Sequence, residues 1–380
     1  MRAAGFSLLL GAAFWAELDL LRRGESSPAL VEELRRARLR AVLRQAGYTS
    51  VGVSPSEVLA SVDPAGKLDL SRATGTLRRR TSGSSGHAAE VAVGRAAYGQ
   101  LLAAFWRALG WWGVEPGEPG LVILGAQGGP ARLLFLRTKD RALGARRVFV
   151  DDGPSWVEAA LTLLARHRFA YVYGYPSALY ELVASGLEPR WSPRVVVATG
   201  EPLFGFQRRT IQEAFGAPVT EEFGCTEIGA VASECPEGSL HLVAEQVWLE
   251  AEPTATLATS LVRRPVPLLR YPLDEPLSEE RGRCRCGRLL PRVRLARRLS
   301  PVWRAFEGCT GLAAEVAPLP ARFVATFHGT WTLRAEEKDR VGLEALCGAM
   351  GRLGFQARAV LQGRLPRGAS GKFRYLEAST

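Results

Sequence analysis

The chain is 380 residues long, 47% hydrophobic and 23% charged, with 49 basic against 38 acidic side chains and a net charge of +11. That is room for one large domain plus a smaller one, each able to bury a core. Six cysteines in this length exclude a dense disulfide framework. No apolar run approaches the roughly 20 residues of a membrane helix, so no membrane partner is expected. The basic surplus is scattered arginine, and the runs Arg78-Arg79-Arg80 and Arg297-Arg298 are isolated, so no nucleic-acid partner is expected either. Lysine occurs only at Lys67, Lys139, Lys338 and Lys372, which makes any lysine inside a motif informative.

The first 21 residues superficially suggest a secretion signal. Glu17 and Asp19 interrupt the run, however, and Phe14, Leu18 and Leu21 have helical spacing, so it reads as an amphipathic helix in a cytoplasmic protein. Residues 14–46 read as one or two helices with a break at Ser26-Ser27-Pro28. A looser stretch then leads to the small-residue loop Thr81-Ser82-Gly83-Ser84-Ser85-Gly86, just before a strand-like Glu90-Val91-Ala92-Val93. Residues 98–112 read as an aromatic-rich helix. Four buried-strand patterns follow: Leu121-Val122-Ile123-Leu124, Arg147-Val148-Phe149-Val150, Ala170-Tyr171-Val172-Tyr173 and Val195-Val196-Val197-Ala198. Helices are expected over 155–167, 176–185 and 205–215. This alternation predicts an α/β domain with a mostly parallel sheet. Residues 241–250 and 257–262 read as antiparallel strands, and a small α+β unit is expected from about residue 300: strands at 323–327 and 330–334, a helix at 339–353 and a strand at 355–361.

The loop at 81–86 exposes backbone N–H groups and hydroxyls that can wrap phosphate oxygens, although a flexible Ser/Gly turn has the same composition. It lacks the Gly-Lys-Ser/Thr ending of a Walker A loop. Ala198-Thr199-Gly200-Glu201-Pro202-Leu203 directly follows a buried strand, where ligands of open α/β sheets sit. Glu221-Glu222-Phe223-Gly224-Cys225-Thr226-Glu227-Ile228-Gly229 packs together a ring that can stack on a base, a hydroxyl for phosphate and a carboxylate for Mg²⁺; the plain alternative is an acidic turn. Cys235 and His241, six apart, and the pair Cys284 and Cys286 offer three thiolates and one imidazole, the donor set of a closed structural zinc site; otherwise they are unrelated cysteines and a loose pair. Cys225, Cys309 and Cys347 read as small hydrophobes. No Gly-x-Ser-x-Gly elbow supports hydrolysis by a serine nucleophile.

In this order and spacing, the segments at 81–86, 198–203 and 221–229 resemble those of the adenylate-forming superfamily. Tyr173-Gly174-Tyr175-Pro176-Ser177, Glu234-Cys235 followed by His241, Leu268-Leu269-Arg270-Tyr271, Cys284-Arg285-Cys286-Gly287-Arg288 and the tail 365–372 more narrowly resemble the phenylacetate–CoA ligase subfamily. The resemblance implies a large adenylation domain over 1–298 and a small mobile lid over 299–380. It implies ATP and Mg²⁺ as cofactors, a small carboxylic acid as substrate with aryl acids favoured, and an acyl-adenylate passed to a thiol. Coenzyme A leads as acceptor, with carrier-protein phosphopantetheine or an amine as variants. An acyl carrier protein and a homodimer partner stay open. Thr81, Ser82, Gly83, Ser84, Ser85 and Gly86 would hold the β- and γ-phosphates, and Gly200, Glu201 and Pro202 would line the adenine site with Phe223 stacked on the ring. Thr226 would touch the α-phosphate, Glu227 would bind Mg²⁺, Asp274 would take the ribose hydroxyls, and Lys372 would stabilise charge as the carboxylate attacks phosphorus. Relatives with this Cys/His pattern favour zinc at Cys235, His241, Cys284 and Cys286. Tyr171, Tyr173, Tyr175 and Phe204 could line an aryl pocket or simply fill the core.

The sequence departs from the family in three places. His87 stands where the family has a lysine, Tyr271-Pro272-Leu273-Asp274 replaces Tyr-Arg-Thr-Gly-Asp, and the hinge is only Ala296-Arg297-Arg298-Leu299-Ser300, with Arg297 carried over as the cofactor-side residue. These departures keep a catalytically impaired nucleotide- or acyl-binding relative as the alternative.

Overall fold

The computed structural model describes residues 10–48, 54–63, 77–80, 90–126, 129–251, 255–262, 264–273, 275–368 and 370–378. Compactness divides the chain into two units, Met1–Glu118 with Thr220–Arg297, and Pro119–Val219 with Arg298–Thr380. Among the described residues no helix is long and apolar enough to cross a membrane.

In the first unit, helices Ala12–Gly24 and Pro28–Gln45 are separated where the sequence says they should be. Ser27 Oγ accepts the Leu30 N–H at 3.3 Å and Pro28 opens the second helix, where a missing N–H costs nothing. Helix Arg95–Gly110 packs on Ala12–Gly24, and Gly99 lets the Leu10 carbonyl approach to within 3.2 Å of where a Cβ would stand. Buried Glu17 receives both guanidinium nitrogens of Arg38, at 2.8 and 2.7 Å, and buried Arg107 pairs with Glu245 at 2.7 Å. Strands Val219–Cys225, Gly229–Glu234, Leu240–Leu242, Arg292–Leu295 and Leu277–Glu280 pair antiparallel in that order. A second antiparallel sheet joins Val247–Ala251, Thr256–Ser260 and Tyr271–Pro272. The expected strand over 241–250 is therefore two strands in two sheets. The Gln246 and Val247 N–H groups both turn back onto the Val243 carbonyl, each at 2.9 Å, and break the run.

In the second unit, Ala145–Phe149, Gly120–Leu124, Tyr171–Gly174 and Val195–Thr199 lie side by side in that order as a parallel sheet. The expected helices are present as Ser155–Arg166, Pro176–Ala184 and Gly205–Phe215. Helix Pro130–Ala142 has no counterpart in the sequence reading: its consecutive Leu133-Leu134-Phe135-Leu136 has no helical period, and Leu134 and Phe135 are exposed. The C-terminal part is a four-stranded sheet ordered Ala357–Gln362, Trp331–Glu336, Phe323–Phe327, Leu376–Ala378, with helices Pro301–Ala314 and Arg340–Arg352. One core joins it to residues 119–219. Phe204 stacks on Trp303 at 4.5 Å, and Phe206, Phe306, Phe323, Trp331 and Tyr375 continue the aromatic packing. Each such ring is worth about 1.5–3 kcal/mol of transfer free energy. The α/β fold class with a smaller α+β part is thus the observed one.

Candidate active site

The tail loop of the second unit positions Lys372 by its backbone. The Gly368 N–H donates to the Lys372 carbonyl and the Gly371 N–H to the Gly368 carbonyl, both at 2.8 Å, closing a tight loop. Gly371 has φ of +78°, and a Cβ there would lie 2.6 Å from the Val150 carbonyl oxygen. Gly125, at the end of strand Gly120–Leu124, presses directly on the Ser370 carbonyl, leaving no room for any side chain. Lys372 Nζ lies 5.8 Å from the Tyr175 ring centroid, and its Cε is 3.5 Å from where a Gly200 Cβ would stand. Gly200 itself has φ of +74°. The sheet end thus brings together Gly200, Tyr175 and Lys372 from three distant sequence segments, at the carboxyl ends of strands Tyr171–Gly174 and Val195–Thr199.

Glu201 is occupied by protein. Its carboxylate accepts the Ser177 N–H and Ser177 hydroxyl, both at 3.0 Å, and the Phe373 N–H at 2.6 Å. Burial raises its pKa, against the Arg367 charge and these three donors. Pro202 is half-buried beside it. Of the candidate aryl residues, Tyr171 is buried against Gly120 and Phe204 is in the core; Tyr173 is half-buried, and the Tyr175 hydroxyl donates to the Ser370 carbonyl at 3.4 Å.

In the first unit, the hairpin Val219–Cys225/Gly229–Glu234 carries Thr226, Glu227 and Ile228 at its tip. A register shift between Phe223 and Gly224 bends the strand just before the tip. Gly224 is needed there, since a Cβ would meet the Gly229 carbonyl oxygen at 2.3 Å. Glu227 is buried, and its carboxylate accepts the Tyr271 hydroxyl at 2.9 Å. Buried Arg264 donates to the backbone carbonyls of Glu227 and Ile228 and to Ser260 Oγ at 3.1 Å. Burial and the nearby Glu227 push the Cys225 thiol up to about 12, so it stays protonated. Phe223 is half-buried and leans on the apolar cluster around Ile228, Val231 and Leu268. Thr226 is half-buried. Arg297 pairs with Glu275 and, at 3.4 Å, with Glu221, fastening the turn Ala296–Leu299. The phosphate-loop residues 81–86, His87 and Asp274 lie outside the described residues.

Cys235, His241, Cys284 and Cys286 converge, with one ligand atom from each all within 4.8 Å of one another. Cys235 Sγ and Cys284 Sγ are 3.7 Å apart, and Cys286 Sγ and His241 Nε2 are 3.3 Å apart. A tetrahedral ion with bonds of about 2.3 Å to sulfur and 2.0 Å to nitrogen spaces its ligands by about 3.5–3.8 Å, so the set fits zinc. Burial pushes His241 down to about 4, which keeps the imidazole neutral, and its Nδ1 faces the Leu290 carbonyl at 3.3 Å. Burial pushes the Cys235 thiol up to about 12. Burial also raises Cys284, but hydrogen bonds led by Ser239 outweigh it and bring that thiol to about 7. Trp111 meets the His241 ring edge-on at 5.7 Å, and Glu25 ties Trp111 Nε1 and Arg288 to the helix Ala12–Gly24 end.

The positioning residues Ser177, Arg264, Tyr271 and Arg367 were given no role by sequence reasoning. Arg264 and Arg367 look like two of many arginines, and only their burial separates them. Tyr271 stood inside a recognised string and could have been weighed as a partner for a carboxylate.

No protein-family model matches this sequence, and no curated protein is detectably similar to it. Solved structures share its fold. A 2-hydroxyisobutyryl-CoA ligase in its postadenylation state, bound to R3-HIB-AMP, is 15% identical with a TM-score of 0.60 over 96% of this chain and 89% of that one. The same ligase in its thioesterification state, with 2-HIB-AMP and CoA, gives 17% identity and a TM-score of 0.54, covering 94% and 91%. A benzoate CoA ligase from Burkholderia xenovorans LB400 gives 14% identity and a TM-score of 0.50 over 84% of this chain and 72% of that one.

Proposed function

We propose that the protein is an adenylate-forming ligase that activates a small carboxylic acid with MgATP and passes the acyl group to an acceptor. The fold it shares with CoA ligases supports the class. The observation that carries the reading is Lys372 held beside Gly200 and Tyr175 at the carboxyl ends of the parallel strands, where ligands of open α/β sheets bind. In the first half-reaction a carboxylate oxygen of the acid bonds to the α-phosphorus of ATP and pyrophosphate leaves. In the second, the acceptor's thiolate bonds to the acyl carbon and AMP leaves. Lys372 would neutralise charge developing at the α-phosphoryl oxygens, a task a compact ammonium performs without a fixed orientation. Thr226 would hold the same phosphate, and Glu227, oriented by Tyr271, would hold Mg²⁺. Phe223 would stack on the adenine, Gly200 and Pro202 would border it, and residues 81–86 and Asp274 would take the polyphosphate and ribose. Residues 299–380 would act as the lid over a catalytic domain of 1–298.

The substrate class proposed is an aryl or other small acid, and coenzyme A is the leading acceptor, ahead of a carrier-protein thiol or an amine. Zinc at Cys235, His241, Cys284 and Cys286 would hold loops together. With all four positions filled by protein it would leave no open site for chemistry.

The test is pyrophosphate release from MgATP across a panel of aryl, hydroxy and fatty acids, with hydroxylamine trapping and with coenzyme A, carrier protein or amine supplied in turn. Release that depends on one acid and collapses in Lys372→Ala supports adenylation. Folded protein that binds ATP yet releases no pyrophosphate with any acid would favour an impaired nucleotide-binding relative.

A further inference from the structure

Arg367 is charged, its side chain has no exposure, and it lies five residues before Lys372. Burying a guanidinium without partners is costly, so its contacts define what it is for. Nη1 donates to the Gly371 carbonyl at 2.9 Å and to Ser177 Oγ at 2.7 Å, and Nη2 donates to Glu181 Oε2 at 2.6 Å. The Arg367 N–H donates to Asp152 Oδ1 at 3.1 Å. Ser177 Oγ accepts from Arg367 and its O–H donates to Glu201 Oε1, which also accepts the Phe373 N–H. The two peptide groups flanking Lys372 are therefore each held by a side chain. The carbonyl before it is gripped by Arg367, and the N–H after it by Glu201. Ser177, fully buried at the start of helix Pro176–Ala184, joins the two grips.

We infer that Arg367, Ser177 and Glu201 form a clasp that sets the position of Lys372, with Arg367 the positioning residue on which it turns. This rests on the adenylating role proposed for Lys372. The clasp touches backbone alone around Lys372, so it fixes where the lysine stem begins. A fault of about 1 Å in placing a catalytic group can cost 100-fold in rate. Its loss falls on the step that uses Lys372.

Two variants of the full-length protein test this, Arg367→Met and Ser177→Ala, with Arg367→Lys as the conservative control. Adenylation is read as ATP–pyrophosphate exchange, and transfer as consumption of a synthetic acyl-AMP by coenzyme A. Amide hydrogen exchange across 365–375 reads the clasp without activity. For Arg367→Met the adenylation kcat is expected to fall about 30- to 100-fold with KM for ATP and acid changed less than about threefold, while acyl-AMP consumption keeps within about threefold of wild type. Ser177→Ala, which removes one hydroxyl and serves if Arg367→Met fails to fold, is expected to lose about five- to tenfold in the same step. Arg367→Lys, keeping the charge and one donor nitrogen, should recover part of the rate. The Gly371 and Phe373 amides should exchange at least about tenfold faster in Arg367→Met and Ser177→Ala. Equal losses in both half-reactions, or adenylation within twofold of wild type in both variants, would overturn the clasp. If the wild-type protein adenylates no acid, the functional proposal fails. Hydrogen exchange then decides alone: unchanged protection at Gly371 and Phe373 sinks the clasp, and faster exchange sustains it.

Discussion

The Tyr271 hydroxyl donates to Glu227 Oε1 at 2.9 Å, across 44 residues of sequence, and so fixes one oxygen of the carboxylate proposed to hold Mg²⁺. Arg264 donates to the backbone carbonyl of the same residue. A carboxylate with one oxygen already oriented has less freedom to lose when a cation arrives. Tyr271→Phe removes about 1 kcal/mol of hydrogen bonding, so the Mg²⁺ concentration for half-maximal adenylation should rise about fivefold. A magnesium titration of pyrophosphate release measures it, and an unchanged midpoint would separate Tyr271 from the metal.

Lys372→Ala should lower adenylation about 100-fold or more while leaving the unfolding midpoint within about 1 °C, because the half-buried side chain contributes charge rather than core. Pyrophosphate release and thermal unfolding on the same samples check both halves.

Metal analysis of purified protein should find zinc, released on adding a mercurial that titrates the thiols. Cys286→Ser or prolonged chelation should lower the unfolding midpoint by at least about 5 °C, since an ion there would join the hairpins Gly229–Glu234/Leu240–Leu242 and Leu277–Glu280/Arg292–Leu295. Acyl chemistry in the metal-depleted protein, assayed well below that midpoint, should persist.

Arg107 and Glu245 are fully buried partners, 1% and 0% exposed. Glu245→Ala leaves an unpaired buried guanidinium and should cost about 3–5 kcal/mol, whereas replacing both by leucine should recover most of it. Denaturant unfolding of the single and double variants provides the comparison.

Acid should loosen the second unit through Glu181. Burial raises its pKa, but the hydrogen bond from Arg322 and the charge of Arg367 outweigh that and set it below the usual carboxylate range. A lowered folded-state pKa means the stabilisation is fully present above the unfolded value, near 4.5, and is lost as pH falls through the lower folded value. Unfolding free energy should therefore decline below about pH 4.5, and the Glu181→Gln variant should show a shallower decline.

Periodicity carried the helices and the parallel strands because Val195–Thr199 and its neighbours are continuous apolar runs bounded by turn residues. The break at Ser26-Ser27-Pro28 was legible for the same local reason. Helix Pro130–Ala142 was not, since consecutive apolar residues erase the 3.6-residue period. The strand expected over 241–250 was split by a turn whose hydrogen bonds leave no trace in composition. At the candidate site, Glu227 and Lys372 were marked by their motifs. Tyr271 and Arg367 stand inside motifs too, but their partners Glu227, 44 residues from Tyr271, and Ser177 and Glu181, far from Arg367, are brought to them by packing that the motifs do not state. Glu201 shows the limit most clearly: nothing in its motif says that its carboxylate accepts hydrogen bonds from Ser177 and Phe373.

The backbone contact between Gly125 and Ser370 has a consequence for anyone recombining this protein with a relative. The two segments are 245 positions apart, yet neither tolerates a methyl group at the contact. A crossover that takes the C-terminal tail from one parent and the first parallel strand from another must preserve both glycines, at 125 and 371. Chimeras should survive or fail at this seam as a unit, whatever the identity of the sequences on either side.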